Sequence, residues 1–224
     1  MTPFRRFSGL SGLAFVVVFG GIQFTSGEPS RSASQEEITR YLAGHQTSNE
    51  VGGVLAVLVS GFLALFAIGV WTLFRSGRDA GPAWPMTALV GGVVMSVNLA
   101  FLGASIAAQG LLGDKLAAQP VLAQAVFVSE QTLGTAILPF IALLLLGAGM
   151  AALESGAMPA WTAWLAFAGA ALSVVLTLQL AYAGPVLVAV GVVHALAAIG
   201  WIAVASVYLL LPERRAMVAS AGIA

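Results

Sequence analysis

Long uncharged stretches dominate the chain, and short charged segments separate them. No Asp, Glu, Lys or Arg occurs in 7–27, 51–74, 80–113, 131–153 or 155–212. About 20 apolar residues in a helix cross the hydrocarbon of a bilayer, and the last stretch holds a turn signal at 182–185 between two helix-length pieces. The pattern therefore predicts six membrane-spanning helices, at about 8–26, 51–74, 85–109, 121–153 (its start left open), 159–182 and 186–211.

Composition supports lipid as the surrounding solvent. Of the 224 residues, 59% are hydrophobic and only 8% are charged, whereas soluble domains carry roughly 25% charge. The sequence thus predicts an all-α, polytopic membrane helix bundle in a lipid bilayer, with residues 1–224 forming one membrane domain. The net charge is zero and no basic stripe occurs, so no nucleic-acid partner is expected.

The first apolar stretch has two interpretations. Arg5 and Arg6 precede an apolar run that ends in small residues, which is also the pattern of a secretory signal. The run is long, however, and Gly27-Glu28-Pro29 is a poor cleavage site. We expect this stretch to stay in the membrane as the first span.

Basic residues near the span ends predict the orientation. With the N-terminus inside, six arginines lie on the inner side: Arg5, Arg6, Arg75, Arg78, Arg214 and Arg215. The outer side holds Arg31, Arg40 and Lys115. The positive-inside rule then places both termini in the cytoplasm. Four tryptophans agree, because they fall at inner span ends, where an aromatic belt is expected: Trp71, Trp84, Trp161 and Trp164.

The longest polar segment, the outer loop 27–50, contains a helix signal. Ser34 and Glu37 have the spacing of a capping box, and Ile38, Tyr41, Leu42 and His45 follow at helical spacing. This predicts a short amphipathic helix on the outer face, with His45 on its apolar side. The helix either seals the bundle or acts as a lid for a ligand or partner.

Small residues recur four positions apart within the predicted spans. The pairs are Gly92 and Ser96, Gly103 and Ala107, Gly169 and Ser173, and Gly191 and Ala195. Because close backbone approach drives helix association in lipid, these pairs predict contacts between helices of this chain. They also fit a face for a second membrane protein.

Glu130 is the acidic residue whose depth depends on where the fourth span begins. A start near Val121 buries it in the outer half of the membrane, whereas a start near Gln131 leaves it at the interface. An intramembrane carboxylate indicates a functional site. The hypothesis is that Glu130 faces the bundle interior as a protonatable or cation-binding group.

Several other polar residues are predicted to lie at mid-depth or in the outer half of the bundle. His194 lies slightly outside the midplane of the sixth span, Asn98 near the middle of the third, and Gln179 at an outer span end. We expect a hydrogen bond for His194 rather than a metal, since haem ligation would require His45 at the same depth. Any cavity is predicted to open outward and to be lined by some of Asn98, Glu130, Gln179 and His194.

Motifs of catalysis and cofactor binding are missing from the sequence. It contains no P-loop, dinucleotide fingerprint, HExxH or GxSxG motif, no cysteine, and no Asp within a span. The prediction is a protein that is not an enzyme and has no cofactor or metal.

Three short segments carry a resemblance. ITRYLAGH (38–45) leads into the second span, which ends in WTLFR (71–75), and the fifth span opens PAWTAWL (159–165). The arrangement resembles an uncharacterised group of small bacterial, mainly actinobacterial, integral membrane proteins with six helices. The resemblance implies a compact bundle with a helix across its outer face and no catalytic residues.

Two functions are compatible with these patterns. The first is a non-enzymatic accessory or scaffold subunit of a complex in the bacterial inner membrane, with another membrane protein as partner. The alternative is a carrier or binder of a small hydrophobic or cationic ligand. Its candidate ligand or partner residues are Glu130, His194, Asn98, Gln179 and His45.

Overall fold

The computed structural model describes residues 2–25, 28–75, 81–181 and 185–211. The predicted turn at 182–184 and three of the arginines used for orientation, Arg78, Arg214 and Arg215, lie outside the described residues. Of the side chains within the described helices, those at 23–25 and 185 are also left aside.

Helices make up the described part of the chain, which contains no strand. They are α1 Pro3–Thr25, α2 Gln35–Gly44, α3 Gln46–Arg75, α4 Ala83–Ala117, α5 Pro120–Ala136, α6 Leu138–Ser155, α7 Ala160–Thr177 with a 3-10 turn at Leu178–Leu180, and α8 Pro185–Leu210. Six segments are long and apolar enough to cross a membrane, with α5 and α6 together forming one of them. The predicted all-α class and the count of six are confirmed, whereas the side on which each end lies stays a prediction.

The predicted fourth span consists of two helices. α5 ends at Ala136 and α6 begins at Leu138, with Ile137 between them. Pro139 lies in the first turn of α6, where its missing N–H is tolerated, whereas it would interrupt the interior of a continuous helix. The carbonyl of Ile137 accepts hydrogen bonds from the N–H groups of Phe140 and Ile141, both at 3.1 Å.

α3 and α4 form the tightest seam of the bundle. A Cβ on Gly53 would overlap the backbone of Gly103 and Ala107, and a Cβ on Gly92 would overlap Ala67. Farther along the seam, the hydroxyl of Ser96 donates to the carbonyl of Ser60. The small pairs on α4 therefore make contacts within the chain, as predicted.

The other two small pairs differ from each other. Gly169 on α7 packs against Leu145 of α6, as predicted for an internal contact. Gly191 on α8 has only Leu176 near its backbone and instead lines a cavity.

α3 and α4 are longer than the predicted spans. At 30 and 35 residues they measure about 45 and 52 Å, against about 30 Å of hydrocarbon. Charged residues mark one end of this pair of helices. Glu50, in the second turn of α3, lies close to Gly110 of α4, and Gln46 donates to the Asp114 carboxylate. We call this end of the bundle the α2 end.

A second, small hydrophobic cluster lies at the α2 end. Ile38, Tyr41 and Leu42 of α2 are buried against Leu116 of α4 and against α5, whose contributions are Ala123 and Phe127. The predicted capping box is present: the Glu37 N–H donates to the Ser34 hydroxyl at 3.2 Å, and the Ser34 N–H donates to the Glu37 carboxylate at 2.8 Å.

The prediction for His45 is wrong. α2 ends at Gly44, so His45 is the residue after the helix and its side chain is exposed. Its ring stacks on Tyr41 at 4.4 Å between centroids. Helical spacing does not apply to His45 because α2 ends at Gly44, and the chain turns at His45 into α3.

Candidate functional site

A cavity of about 340 Å³ lies inside the bundle toward the α2 end. Its wall is mostly apolar and is drawn from α1, α4, α6 and α8, including Phe15, Phe19, Met95, Leu99, Ile141 and Ile202. Its polar groups are Glu28, Glu130, Gln131, Thr135, Gln179 and His194. We call this cavity the central chamber.

Two glycines help to leave the chamber open. A Cβ on Gly134 of α5 would lie 3.9 Å from its nearest neighbour, Leu102, and a Cβ on Gly191 of α8 would lie 4.0 Å from Leu176. Both glycines line the chamber. On the opposite side, the stacked rings of Phe15 and Phe19, 5.0 Å apart, give a smooth aromatic wall.

Glu130 is one of two carboxylates in the chamber. Its side chain is only 5% exposed, and its Oε2 accepts a long hydrogen bond of 3.4 Å from the Gln109 amide on α4. Gln109 is itself 3% exposed. A buried carboxylate with a single long hydrogen bond is poorly compensated for its lost hydration.

Glu28 is the second carboxylate, and it reaches the chamber from the loop after α1. Its Oε2 accepts a 3.0 Å hydrogen bond from Gln131, the residue that follows Glu130. The residue as a whole is exposed to solvent. The surrounding protein nevertheless raises the pKa of Glu28 through burial of its carboxyl group, and the Gln131 hydrogen bond opposes this rise.

Tyr41 of α2 lies within electrostatic range of both carboxylates. Burial raises the pKa of the Tyr41 hydroxyl, and the charges of Glu28 and Glu130 raise it further. The hydroxyl donates a 3.2 Å hydrogen bond to the Asn49 side-chain oxygen. The two carboxylates therefore concentrate negative potential at the α2 end of the chamber.

His194 of α8 contributes an imidazole ring to the chamber wall. Its Nε2 lies 2.7 Å from the Ser173 hydroxyl, which donates to the Gly169 carbonyl at 2.9 Å. Because that hydroxyl hydrogen is used, we assign the proton of the neutral imidazole to Nε2, which leaves Nδ1 as an acceptor. Ser173 is fully buried and does not line the chamber, so the pair holds the imidazole in place and presents no accessible nucleophile.

Arg31, in the loop after α1, forms hydrogen bonds with two residues that line the chamber. Its Nη1 donates to the Gln179 carbonyl at 2.9 Å and its Nη2 to the Thr135 hydroxyl at 3.2 Å. These two acceptors belong to the 3-10 turn after α7 and to α5, and both residues line the chamber. The loop that carries Glu28 is thus held against two of the chamber walls.

The structure brings together three of the five predicted site residues. Glu130, Gln179 and His194 line the chamber, whereas Asn98 and His45 do not. Asn98 donates to the Val94 carbonyl of its own helix at 3.0 Å. His45 contributes to a shallow exposed pocket at the start of α3.

Sequence reasoning missed Glu28, Arg31 and the role of Gln109. Glu28 meets Gln131 across 103 residues of chain, and Arg31 meets Gln179 across 148. The available signal was the pair of charged residues directly after the first span, but nothing in the pattern gives their partners. Gln109 lies at the end of the predicted third span (85–109), and the sequence gives no partner for it because the depth of Glu130 is left open.

The chemistry available in the chamber is recognition of positive charge and of hydrogen-bond donors. Two carboxylates and an imidazole nitrogen accept hydrogen bonds within an apolar enclosure. Within the described ranges, no three His, Asp or Glu side chains come together as they would to hold a metal ion. Comparisons of the chain with protein-family models, curated proteins and solved structures gave no significant match.

Proposed function

We propose that the protein binds or carries a small molecule in the central chamber, with an apolar body and a cationic head. The observation that carries this proposal is the convergence of Glu28 and Glu130 on one mostly apolar cavity at the α2 end. Pockets of this kind, with an apolar lining and a few converging polar groups, are typical ligand sites.

The balance of charge favours a cation over an anion. Glu130 has one hydrogen bond of 3.4 Å, and carboxylates at this depth are expensive unless they are paired. Arg31 directs both terminal nitrogens to Thr135 and Gln179. A bound ammonium group would supply Glu130 with the strong partner that its surroundings lack.

The accessory-subunit hypothesis receives less support. That hypothesis was based on small-residue faces that could contact a second membrane protein. Four of these small residues instead make contacts within the chain: Gly92, Ser96, Gly103 and Gly169. Affinity purification from native membrane, followed by mass spectrometry, is the test for a partner protein. The location in a bacterial inner membrane and the orientation with both termini inside belong to this proposal as well.

A photoreactive alkylamine tests the ligand hypothesis. We would reconstitute the purified protein in phosphatidylcholine nanodiscs, titrate it with diazirine-bearing dodecylamine, and map the labelled peptides by mass spectrometry. Saturable labelling of chamber residues is expected, and Glu130→Gln should weaken it about tenfold or more, as expected for loss of one partner of a buried charge pair.

Asn98→Ala is the matched control, because it changes a polar residue of the bundle that lies outside the chamber. It should leave the labelling curve unchanged. Labelling of the chamber that fails to saturate, or that is equal in the wild type and Glu130→Gln, would overturn the proposal.

A further inference from the structure

A second cavity, a groove of about 510 Å³, lies between α1 and α3. One wall is formed by α1 and includes Val17, Val18 and Gly21. The other wall is formed by α3 and includes Val51 and Gly52, and Glu28 also lines the groove. Most of its lining is apolar, with the polar groups at the α2 end. We call it the lateral groove.

The groove exists because α1 and α3 separate toward the α2 end. At the other end they are in close contact, since a Cβ on Gly12 would overlap Phe66 and a Cβ on Gly69 would overlap Ser8. Nearer the α2 end, a Cβ on Gly21 or on Gly52 would meet nothing within 4 Å. Two helices that are tightly packed at one end thus leave a wedge at the other.

The wedge faces the hydrocarbon. Val17 on α1 is 72% exposed and Val51 on α3 is 53% exposed, although both are apolar and lie in candidate spans. Exposed apolar side chains on helices that are long and apolar enough to cross a membrane are expected to face lipid. The outer side of the lateral groove is therefore accessible from within the bilayer.

The lateral groove borders the central chamber. Three residues line both cavities: Ile22, Glu28 and Ile106. The last turns of α1 stand between the two, with Phe19 toward the chamber and Val18 toward the groove. Glu28 is therefore the one carboxylate that lines both cavities among the described residues, and Glu130 lines the chamber alone.

We propose that the ligand is an amphiphile from the bilayer, an alkyl chain with a protonated amine, whose chain lies in the lateral groove and whose ammonium group sits between Glu28 and Glu130. This inference rests on the proposed function and names the ligand class. An alkyl chain gains little by moving from lipid to an apolar groove, so selectivity comes from the ammonium group and the shape of the groove. A fatty acid or an anionic lipid would bring its negative charge against two carboxylates.

Filling the groove is the direct test. Gly52→Leu places a side chain in the groove at a position whose Cβ has no close neighbour, and Gly61→Leu does the same on α3 outside it. With diazirine-bearing dodecylamine in phosphatidylcholine nanodiscs, we expect labelling of the chamber to be about tenfold weaker in Gly52→Leu, the effect of added side-chain volume in an occupied site. Gly61→Leu should match the wild type.

A second variant and two further probes make the test decisive. Gly21→Leu fills the groove from the opposite wall and should act like Gly52→Leu, which guards against a folding defect in either. Diazirine-bearing butylamine is too short to occupy the groove while its amine is in the chamber, so both variants should label with it normally. Diazirine-bearing dodecanol, which has no charge, should label the chamber weakly in every variant.

The outcomes separate this inference from the function on which it rests. If Glu130→Gln abolishes labelling while Gly52→Leu and Gly21→Leu do not change it, the groove does not hold the alkyl chain and the chamber remains a ligand site. If dodecanol labels as well as dodecylamine, the amine assignment is wrong. If neither amine labels the chamber saturably, the proposed function fails too.

Discussion

The Ser173 hydroxyl and His194 Nε2 lie 2.7 Å apart and join α7 to α8 inside the bundle. Both side chains are buried, and His194 lines the chamber. The contact fixes the position of a ring that belongs to the chamber wall. It is therefore a structural determinant of the site as well as of the fold.

We expect Ser173→Ala to lower the free energy of unfolding by about 1–2 kcal/mol, because it leaves a buried imidazole N–H without an acceptor. Equilibrium unfolding in detergent would measure the change. Ser129→Ala is the control, since its exposed hydroxyl bonds only to the Ala125 carbonyl of its own helix, and a change within about 0.5 kcal/mol is expected. Equal effects of the two substitutions would contradict the role of the Ser173–His194 contact.

A single methyl group should have opposite effects at two glycines of α3. Gly53→Ala forces a Cβ onto the backbone of α4 and should destabilise the protein by about 1–3 kcal/mol. Gly61→Ala meets no atom within 4 Å and should stabilise it by up to about 1 kcal/mol through helix propensity. Thermal unfolding of both variants against the wild type checks the two signs. Stabilisation by both would show that the α3–α4 seam is looser than described.

The capping box should control the stability of α2. Ser34→Ala removes the hydroxyl that accepts from the Glu37 N–H and should cost about 1 kcal/mol. Hydrogen exchange of the amides in 35–44 is the measurement, and faster exchange confined to α2 is expected. Thr39→Ala, which changes a half-buried residue on the same helix, should have a smaller effect, and a larger one would argue against capping as the cause.

The same box predicts how α2 responds to acid. Hydrogen bonds from the Ser34 backbone and hydroxyl lower the pKa of Glu37 below its ordinary value of 4.5. Ionised Glu37 therefore stabilises α2 above that value, and this contribution is lost as the pH falls through the lowered pKa. Exchange in α2, corrected for the intrinsic pH dependence of the rates, should accelerate there in the wild type and much less in Glu37→Gln.

Binding of an amine should strengthen as the pH rises. Burial raises the pKa of Glu28 above 4.5, so the carboxylate forms, and attracts a cation, only as the pH rises through this raised pKa. Dodecylamine stays protonated throughout this range. The affinity should therefore increase with pH, and Glu28→Gln should flatten the dependence. The other titratable groups around the chamber are Glu130, His194, Arg31 and Tyr41, so a dependence unchanged in Glu28→Gln would assign the titration to one of them.

Single cysteines would settle the orientation, because the chain has none of its own. Lys115 at the end of α4 and Glu154 at the end of α6 are both exposed. With both termini inside, Lys115→Cys should react with a membrane-impermeant maleimide in intact cells, and Glu154→Cys only after permeabilisation. The reverse pattern would invert the predicted topology.

The number of spans was predictable because burying a charge in lipid is costly, so charged residues occur between the long apolar stretches and mark their ends. The depth of Glu130 was not, since it depends on the break at Ile137, and Pro139 alone is compatible with either a kink or a new helix. Glu28 and Arg31 lay in a loop, where no periodicity constrains the position of a side chain. Their partners on α5 and in the 3-10 turn follow only from three-dimensional packing.

Because of the break between α5 and α6, the candidate site is carried by two parts of the bundle that are not joined by one continuous helix. Glu130 and Gln131 sit on α5, which packs with α2 and α4, whereas His194 belongs to α8. A molecule that touched both Glu130 and His194 would link α5 to α8. Because α5 also packs against α2, such a molecule would couple the position of α2 to that of α8.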